Sequence, residues 1–210
     1  MNDTRQIQRK EQIMDAALKV IISKGYENSR MDDIVDLSSM SKGAIYWYYK
    51  SKKEVYLNLV NYWVIKYSTV INHIVEEDDS AADQLKDVFD YFILQYEQDP
   101  SAFKALVEFW SLAGRDEDFH KKVDRVYTKF LEFLERIINK GVKSGEFKNL
   151  DVRVTALSIM VNIEGIIWFT LFDAHGLSAR EYIKTITNFI LSGLINKSSG
   201  KGSVNEFSNK

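Results

Sequence analysis

Residues 41–52, Ser41-Lys42-Gly43-Ala44-Ile45-Tyr46-Trp47-Tyr48-Tyr49-Lys50-Ser51-Lys52, decide the fold of this chain. The stretch has four consecutive aromatic side chains, which cannot all lie on one face of a helix. A soluble domain gains little from exposing them to water. A tyrosine hydroxyl can donate to a phosphate oxygen, however, and lysines neutralise phosphate charge. The stretch therefore indicates a short helix that faces duplex DNA.

The residues before this stretch predict a helix-turn-helix unit. Apolar spacing predicts a first helix over about 5–24, ended by Gly25-Tyr26, and a short second helix from Met31 to Leu37, opened by Ser29. The third helix would run from Ser41 to Tyr48 after a tight turn. We expect Ile34, Val35, Leu37 and Ile45 to form a small shared core. That packing would leave a contact set on the third helix free: Ser41, Lys42, Ala44, Tyr46, Trp47 and Tyr48.

The rest of the chain predicts an all-α fold of about nine helices, since helical spacing recurs and no segment alternates with period two. Ser51 with Glu54, and Ser178 with Glu181, are capping boxes that open helices. The fourth helix carries the stripe Val55, Leu59, Trp63, Tyr67, Val70 and Ile74 and would end at the acidic run 76–79. The later helices are expected over about 80–98, from 99–100 onward, 117–143, 151–174 and 178–196.

Composition limits the classes of protein that remain. The 210 residues include no cysteine, which excludes disulfides and thiolate metal sites. The net charge is −2, but residues 1–53 hold ten Lys and Arg against seven Asp and Glu, so a slightly basic head precedes an acidic body. We find no apolar signal core and no apolar run near the ~20 residues that cross a bilayer. The sequence predicts a cytoplasmic protein with no membrane partner.

Residues 25–54 resemble the DNA-binding head of the tetracycline-repressor (TetR) family. The resemblance rests on Gly25-Tyr26, on 31–35 (MDDIV), on 41–46 (SKGAIY) and on 48–54 (YYKSKKE). Three positions depart from the family pattern. Ser39 replaces the usual turn glycine, Met40 replaces valine, and Tyr49 replaces an inward-packing phenylalanine. The serine puts the turn geometry in question, because a positive φ costs serine more than glycine.

The resemblance implies roles in DNA binding. Ser41, Lys42 and Gly43 would lie near base edges and phosphate at the start of the recognition helix, and Tyr46 and Tyr48 would clamp phosphates. Trp47 would pack on a sugar or a thymine methyl group. Lys52 would meet a phosphate at the start of the fourth helix, and Arg30 and Met31 would reach the other side of the groove.

The body carries aromatic residues at helical spacing, most of which would be core. Glu164 and Asn162, however, lie inside the most apolar helix. A carboxylate there must be paired, exposed or in contact with a ligand. The family resemblance implies a cavity among helices four to eight, and a cationic or hydrogen-bonding ligand would suit one lined by aromatic rings. The candidate ligand residues are Trp63, Tyr67, Phe92, Tyr96, Trp110, Tyr127, Asn162, Glu164 and Trp168.

The last two helices are apolar on more than one face, which predicts a self-complementary homodimer contact. The resemblance implies the same four-helix interface. Its candidate residues are Ile166, Phe169, Ile183, Ile186, Phe189, Ile190 and Gly193. A dimer would place two heads on half-sites of a palindromic operator.

The sequence thus predicts a DNA-binding domain over 1–51, a ligand-binding and dimerisation domain over 52–196 and a disordered tail over 197–210. The expected function is a ligand-responsive transcriptional regulator, a repressor, released from DNA by an apolar or aromatic effector, or by a cationic one. The sequence also allows a helical DNA-binding dimer without an effector.

A further alternative is a carboxylate-bundle metalloenzyme, since Glu117 and His120 form one Glu-x-x-His unit. Such a bundle needs a second unit, and neither other histidine has a glutamate three residues before it. We therefore expect no catalytic residue, no metal and no cofactor.

Overall fold

A computed structural model describes residues 2–68, 79–172 and 175–196, with backbone alone at 2, 3 and 65–68. Within these ranges the chain is helical and no strand occurs, apart from an isolated bridge between Phe147 and Ile195. The fourth-helix positions Val70 and Ile74, most of the acidic run and the predicted tail lie outside the described residues. The helices are α1 Asn2–Asn28, α2 Met31–Ser38, α3 Lys42–Tyr48, α4 Lys52–Ser68, α5 Ala81–Gln98, α6 Ala102–Ala113, α7 Glu117–Ser144, α8 Val152–Glu164, α9 Trp168–Leu171 and α10 Ala179–Leu194.

Gly25 ends the regular part of α1, as its sequence position predicts. Its φ of 70° and ψ of 172° lie in a region that only glycine adopts readily, and the chain makes a further turn to Asn28. The start of α2 differs from the prediction. The N-cap is Arg30, whose backbone N–H donates to Asp33 Oδ2 at 2.7 Å, while the Ser29 hydroxyl donates back to the Tyr26 carbonyl.

The head packs around Ile34 and Ile45, which are fully buried. Leu37, predicted to join this core, is instead 54% exposed, and Met40 and Tyr49 are buried in its place. The core of the head covers only a narrow stripe of α2. Leu37, three residues after Ile34, lies outside that stripe. Tyr49 therefore packs inward as a phenylalanine would.

The predicted eighth helix is broken. It runs as α8 to Glu164, continues as one 3₁₀ turn over Gly165–Ile167 and resumes as the short α9. Tyr182 of α10 lies against the break, and its hydroxyl donates to the Asn162 carbonyl at 3.1 Å. A Cβ built on Gly165 would lie 2.3 Å from that hydroxyl oxygen, so the glycine allows α10 to approach closely.

Two hydrophobic clusters form the interior. The first joins α1–α3 to the first half of α4, to α6 and to the start of α7, and the second joins α5, α8 and α10 to the remainder of α7. The first cluster crosses residue 51, so the apolar packing of the head continues into the body. The division at 51–52 stays a prediction.

One segment in the described part of the chain, Val152–Leu171, is long and apolar enough to cross a membrane by length and composition alone. A core helix of a soluble protein can pass the same test, which makes this weak evidence. Its composition has a simpler origin here, because one side packs in the second cluster and the opposite side is apolar and exposed.

Candidate nucleic-acid interface and effector cavity

The helix α3 presents a polar and aromatic surface to solvent. Ser41 is its N-cap, with Oγ accepting from the Ala44 N–H at 3.2 Å, and buried Ile45 anchors the opposite side. Trp47 is 63% exposed, and its ring meets that of Tyr48 edge-on at 4.7 Å between centroids. Ser41, Lys42 and Gly43 are exposed, and Ala44, Tyr46 and Tyr48 are half-buried. The predicted contact set therefore lies on the outer side of α3, with three members partly packed.

The positive charge at the start of α3 is balanced by a carboxylate on α2. Lys42 Nζ lies 2.7 Å from Asp32 Oδ1, with both side chains mostly exposed. This ion pair raises the pKa of the Lys42 ammonium. Exposed Arg30 is the N-cap residue of α2, whereas Met31 packs partly against the core of the head. DNA would compete with Asp32 for Lys42.

The structure gives Lys52 a different position from the predicted phosphate contact. Its ammonium donates to the carbonyls of Tyr26 at 2.7 Å and Ser29 at 2.9 Å, and it lies 4.3 Å from the centroid of the Tyr26 ring. An ammonium has three donors, and two of them hold the end of α1. Lys52 thus fastens α4 to α1. A phosphate contact would require Lys52 to leave these carbonyls.

A cavity of about 600 Å³ lies in the body where the two hydrophobic clusters meet. Its walls come from α4, α6, α7, α8 and the 3₁₀ turn, with Phe92 added by α5. Leu106, Trp110 and Tyr127 pack against both clusters and line the cavity between them. A molecule bound here would contact both halves of the interior.

Three side chains that line the cavity form a chain of hydrogen bonds. The Trp110 Nε1–H donates to the Tyr127 hydroxyl, which donates to the carboxylate of Glu164. Burial raises the pKa of Glu164 to about 7, against the opposing effect of the Tyr127 hydrogen bond. Burial, followed by the charge of Glu164, also raises the pKa of Tyr127. The result is a carboxyl group inside an aromatic cavity with one neutral partner.

The structure separates the predicted ligand residues into two groups. Trp63, Phe92, Trp110, Tyr127 and Glu164 line the cavity. The other candidates lie elsewhere: Tyr96 packs on Phe103 behind the wall, the Asn162 amide donates to the Ser158 carbonyl of its own helix, and Trp168 is 57% exposed beside Phe172. The Tyr67 side chain lies outside the described part of the chain. The break at Gly165 lies between Glu164, which lines the cavity, and Trp168, which does not.

Sequence reasoning missed much of the cavity lining. Phe103, Leu106, Phe109, Val123, Phe130 and Phe133 contribute apolar wall, and exposed Arg125, Lys129, Glu132 and Arg136 lie at its solvent edge on α7. The charged residues are spaced by three, four and seven positions, which places them on one side of α7. That spacing is visible in the sequence, but whether it borders a cavity depends on how α7 packs.

The C-terminal helices expose an apolar stripe. Val154, Leu157 and Val161 on α8 are 61%, 45% and 57% exposed, and Phe189 on α10 is 73% exposed. Among the predicted dimer residues, Ile166 and Ile183 are buried inside the chain and cannot reach a partner. Phe169, Ile186 and Ile190 are half-buried, and Gly193 is exposed. The exposed apolar residues therefore lie toward the outer side of α8, and a self-complementary contact through them stays a prediction.

The head and the body each match a known sequence family. Residues 13–59 match the bacterial regulatory proteins of the tetR family, and residues 81–194 match the model described as BetI-type transcriptional repressor, C-terminal. The chain belongs to the TetR family of transcriptional regulators.

Relatives and solved structures agree with this membership. The helix-turn-helix transcriptional regulator YfiR of Bacillus subtilis is 28% identical over 197 residues, covering 85% of this chain and 91% of YfiR. A transcriptional regulator from Saccharomonospora viridis in complex with choline has the same fold, with a TM-score of 0.81, 18% identity and coverage of 90% and 99%. FadR from Bacillus subtilis in complex with stearoyl-CoA superposes with a TM-score of 0.77, 23% identity and coverage of 87% and 98%.

The metalloenzyme alternative is wrong, because the family and its members are transcriptional regulators rather than enzymes. The Glu-x-x-His unit has an ordinary structural place. Glu117 pairs with Lys121 at 3.1 Å in the first turn of α7, and His120 is exposed.

Proposed function

We propose that this chain is an effector-responsive repressor that acts in the cytoplasm. A homodimer binds a palindromic operator through α3, and a small apolar or aromatic molecule in the cavity, or a cationic one, releases it. Residues 1–51 serve as the DNA-binding domain and 52–196 as the effector and dimer domain. The observation that carries the proposal is the cavity between the two hydrophobic clusters, one of which contains the core of the head.

Two helices connect the cavity with the head. On α6, Trp110 lines the cavity, and two residues earlier Glu108 accepts a hydrogen bond from the Tyr26 N–H at 3.0 Å. On α4, Val60, Trp63 and Val64 line the cavity, and Lys52 holds the carbonyls at the end of α1. A ligand that moves either helix would change the position of the head. Coupling of about 1–3 kcal/mol between two sites is typical.

The alternative of an effector-independent dimer receives no support from the cavity. Protein interiors are closely packed, and a space of about 600 Å³ lined by aromatic rings and one carboxyl group is of the size that binds small molecules.

Selection from random duplex oligonucleotides tests the DNA-binding part of the proposal. We expect the full chain to enrich an inverted repeat with half-sites about one helical turn apart or a multiple of it. Lys42→Gln should weaken binding to all sequences and reduce the slope of log affinity against log salt by about one. Lys129→Gln, which removes an exposed lysine from the body, is the matched control. Enrichment of no inverted repeat contradicts the proposal.

Gly43 offers a second test on the same helix. A Cβ at this position would meet no atom of the protein within 4 Å, so the fold does not require glycine there. We predict that Gly43→Ala raises the free energy of unfolding by up to about 1 kcal/mol through helix propensity. The methyl group would face DNA at close range, and operator affinity should fall at least about tenfold. Urea denaturation and a gel-shift titration measure the two effects, and unchanged operator affinity argues against close approach at Gly43.

A further inference from the structure

We propose that the cavity recognises an organic monocation and that Glu164 is its counter-charge. This inference rests on the proposed function and names the class of effector. The solved structures with this fold do not decide the class, since their ligands include both choline and an acyl-CoA. The residues around Glu164 in this chain favour a cation over the other classes of effector.

Glu164 has a polar partner but no charged one. Tyr127 donates to its carboxylate, and among the side chains that the structure describes no lysine, arginine or histidine pairs with it. The other charged groups of the lining, Arg125, Lys129, Glu132 and Arg136, belong to α7 and are exposed to water. Water screens the interaction of such exposed charges with Glu164. A half-buried carboxylate that faces an aromatic cavity is stabilised most by a cation brought in by a ligand.

The walls around Glu164 also suit a cation. Trp63, Trp110, Phe109, Phe130 and Phe133 present rings to the cavity, and ring faces attract alkylated ammonium groups. The Trp110–Tyr127 chain holds the carboxylate from one side, which leaves its remaining acceptor positions for a ligand.

An anionic amphiphile fits the same cavity less well. Arg125, Lys129 and Arg136 at the solvent edge could hold its head group, but its apolar tail would then cover Glu164. Covering removes water from the carboxyl group without supplying a partner, which disfavours binding at any pH where the group is ionised. The basic edge alone therefore does not favour an acyl chain.

The binding test uses three probes of nearly equal shape. They are benzyl(2-hydroxyethyl)dimethylammonium, its uncharged carbon isostere 3,3-dimethyl-4-phenylbutan-1-ol, and the anion 3,3-dimethyl-4-phenylbutanoate. Isothermal titration calorimetry at pH 8 on the full chain should show the cation binding at least about tenfold tighter than the alcohol, and the anion weakest. Equal affinities of cation and alcohol, or no binding of the cation at millimolar concentration, overturn the inference.

Variants assign the effect to the carboxylate. Glu164→Gln should remove the preference for the cation while leaving the affinity for the alcohol within about threefold. Glu11→Gln, at an exposed position of α1 outside the cavity lining, should keep the preference. Circular dichroism and urea denaturation check that both variants fold. A preference for the cation that survives in folded Glu164→Gln contradicts the inference.

Proton release gives a readout that a structural role of Glu164 would not move. A bound cation keeps Glu164 ionised, so binding to the wild-type chain at pH 7 should release about half a proton, given a pKa of about 7. Titrations in buffers of different ionisation enthalpy measure this number. Glu164→Gln should release none, and a wild-type value of zero counts against the inference.

An operator titration separates this inference from the proposed function. If the cation binds selectively but operator affinity stays constant at saturation, the recognition of a cation stands and release by the effector is wrong. If stearoyl-CoA releases the operator and the cation neither binds nor releases it, the effector mechanism stands and the inference about the cation is overturned.

Discussion

Ser39, at the C-terminal end of α2, has a left-handed backbone conformation with φ of 56° and ψ of 25°. Non-glycine residues adopt this conformation at a cost of about 1–2 kcal/mol. The left-handed residue ends α2 and lets the chain change direction within three residues to reach the N-cap Ser41. The family resemblance indicated glycine here, and the observed dihedral angles give the physical reason.

We therefore predict that Ser39→Gly raises the free energy of unfolding by about 0.5–1 kcal/mol, the relief of strain exceeding the added entropy of the unfolded chain. Urea denaturation measures it. The matched control is Gly145→Ala, where φ is 77° and a Cβ would meet no atom within 4 Å. That substitution should lower stability by about 1 kcal/mol. Loss of stability in Ser39→Gly would show that the serine side chain contributes more than its backbone costs.

The stability of the ligand-free protein should depend on Glu164 and on pH. The folded chain holds the proton of this carboxyl group up to a pKa of about 7, whereas the unfolded chain releases it near 4.3. The stabilising effect of protonation is fully present below about pH 4 and is lost as the pH rises through 7. The loss is on the order of 3 kcal/mol.

We predict that Glu164→Gln gains stability relative to the wild-type chain as the pH rises from 5 to 8, by on the order of 3 kcal/mol. Urea denaturation at both pH values measures the difference, and Glu132→Gln should show a change of less than about 0.5 kcal/mol. A difference for Glu164→Gln that is constant with pH would show that the buried carboxyl group is not desolvated as described.

The helix α10 packs closely against the break after α8, where Gly165 leaves room for Tyr182. We predict that Gly165→Ala lowers the free energy of unfolding by about 1–3 kcal/mol, because its Cβ would overlap the Tyr182 hydroxyl. In a Tyr182→Phe background the same change should cost less. Gly114→Ala, whose Cβ would make ordinary contact at 3.6 Å, should be neutral or stabilising. Thermal unfolding of the four variants and the wild type provides the comparison, and equal losses in both backgrounds contradict the overlap.

The sequence predicted helices well where local chemistry sets their ends. Ser41, Ser80, Asp116, Asp151 and Ser178 each accept a backbone N–H in the first turn of a helix. It failed at the break after Glu164, where Tyr182 from a distant helix packs against Gly165. The phosphate contact of Lys52 stays a prediction, and carbonyls at the end of α1 hold its ammonium in the structure. Apart from Tyr127, the cavity lining on α7 was missed, since only packing shows which side of that helix borders the space.

The exposed apolar stripe on α8 and α10 is expected to hold two copies of the chain together. Leu157 and Phe189 are 45% and 73% exposed in the single chain, and a self-complementary contact would bury both. We predict that Leu157→Glu together with Phe189→Glu converts a dimer to a monomer, measured by sedimentation equilibrium. Each head would then meet one half-site alone, so affinity for the full palindrome should fall at least about 100-fold.

The matched control for assembly is Leu94→Glu on α5, which replaces an equally exposed leucine, 50% accessible, on a helix that contributes no residue to the stripe. It should leave both the dimer and the operator affinity unchanged, because an exposed leucine outside an interface needs no partner. If Leu157→Glu with Phe189→Glu stays dimeric, the two-fold contact lies elsewhere on the surface. If it becomes monomeric and still binds the full palindrome at wild-type affinity, the two heads do not act as one unit, and a ligand in the cavity could not release the operator by changing the distance between them.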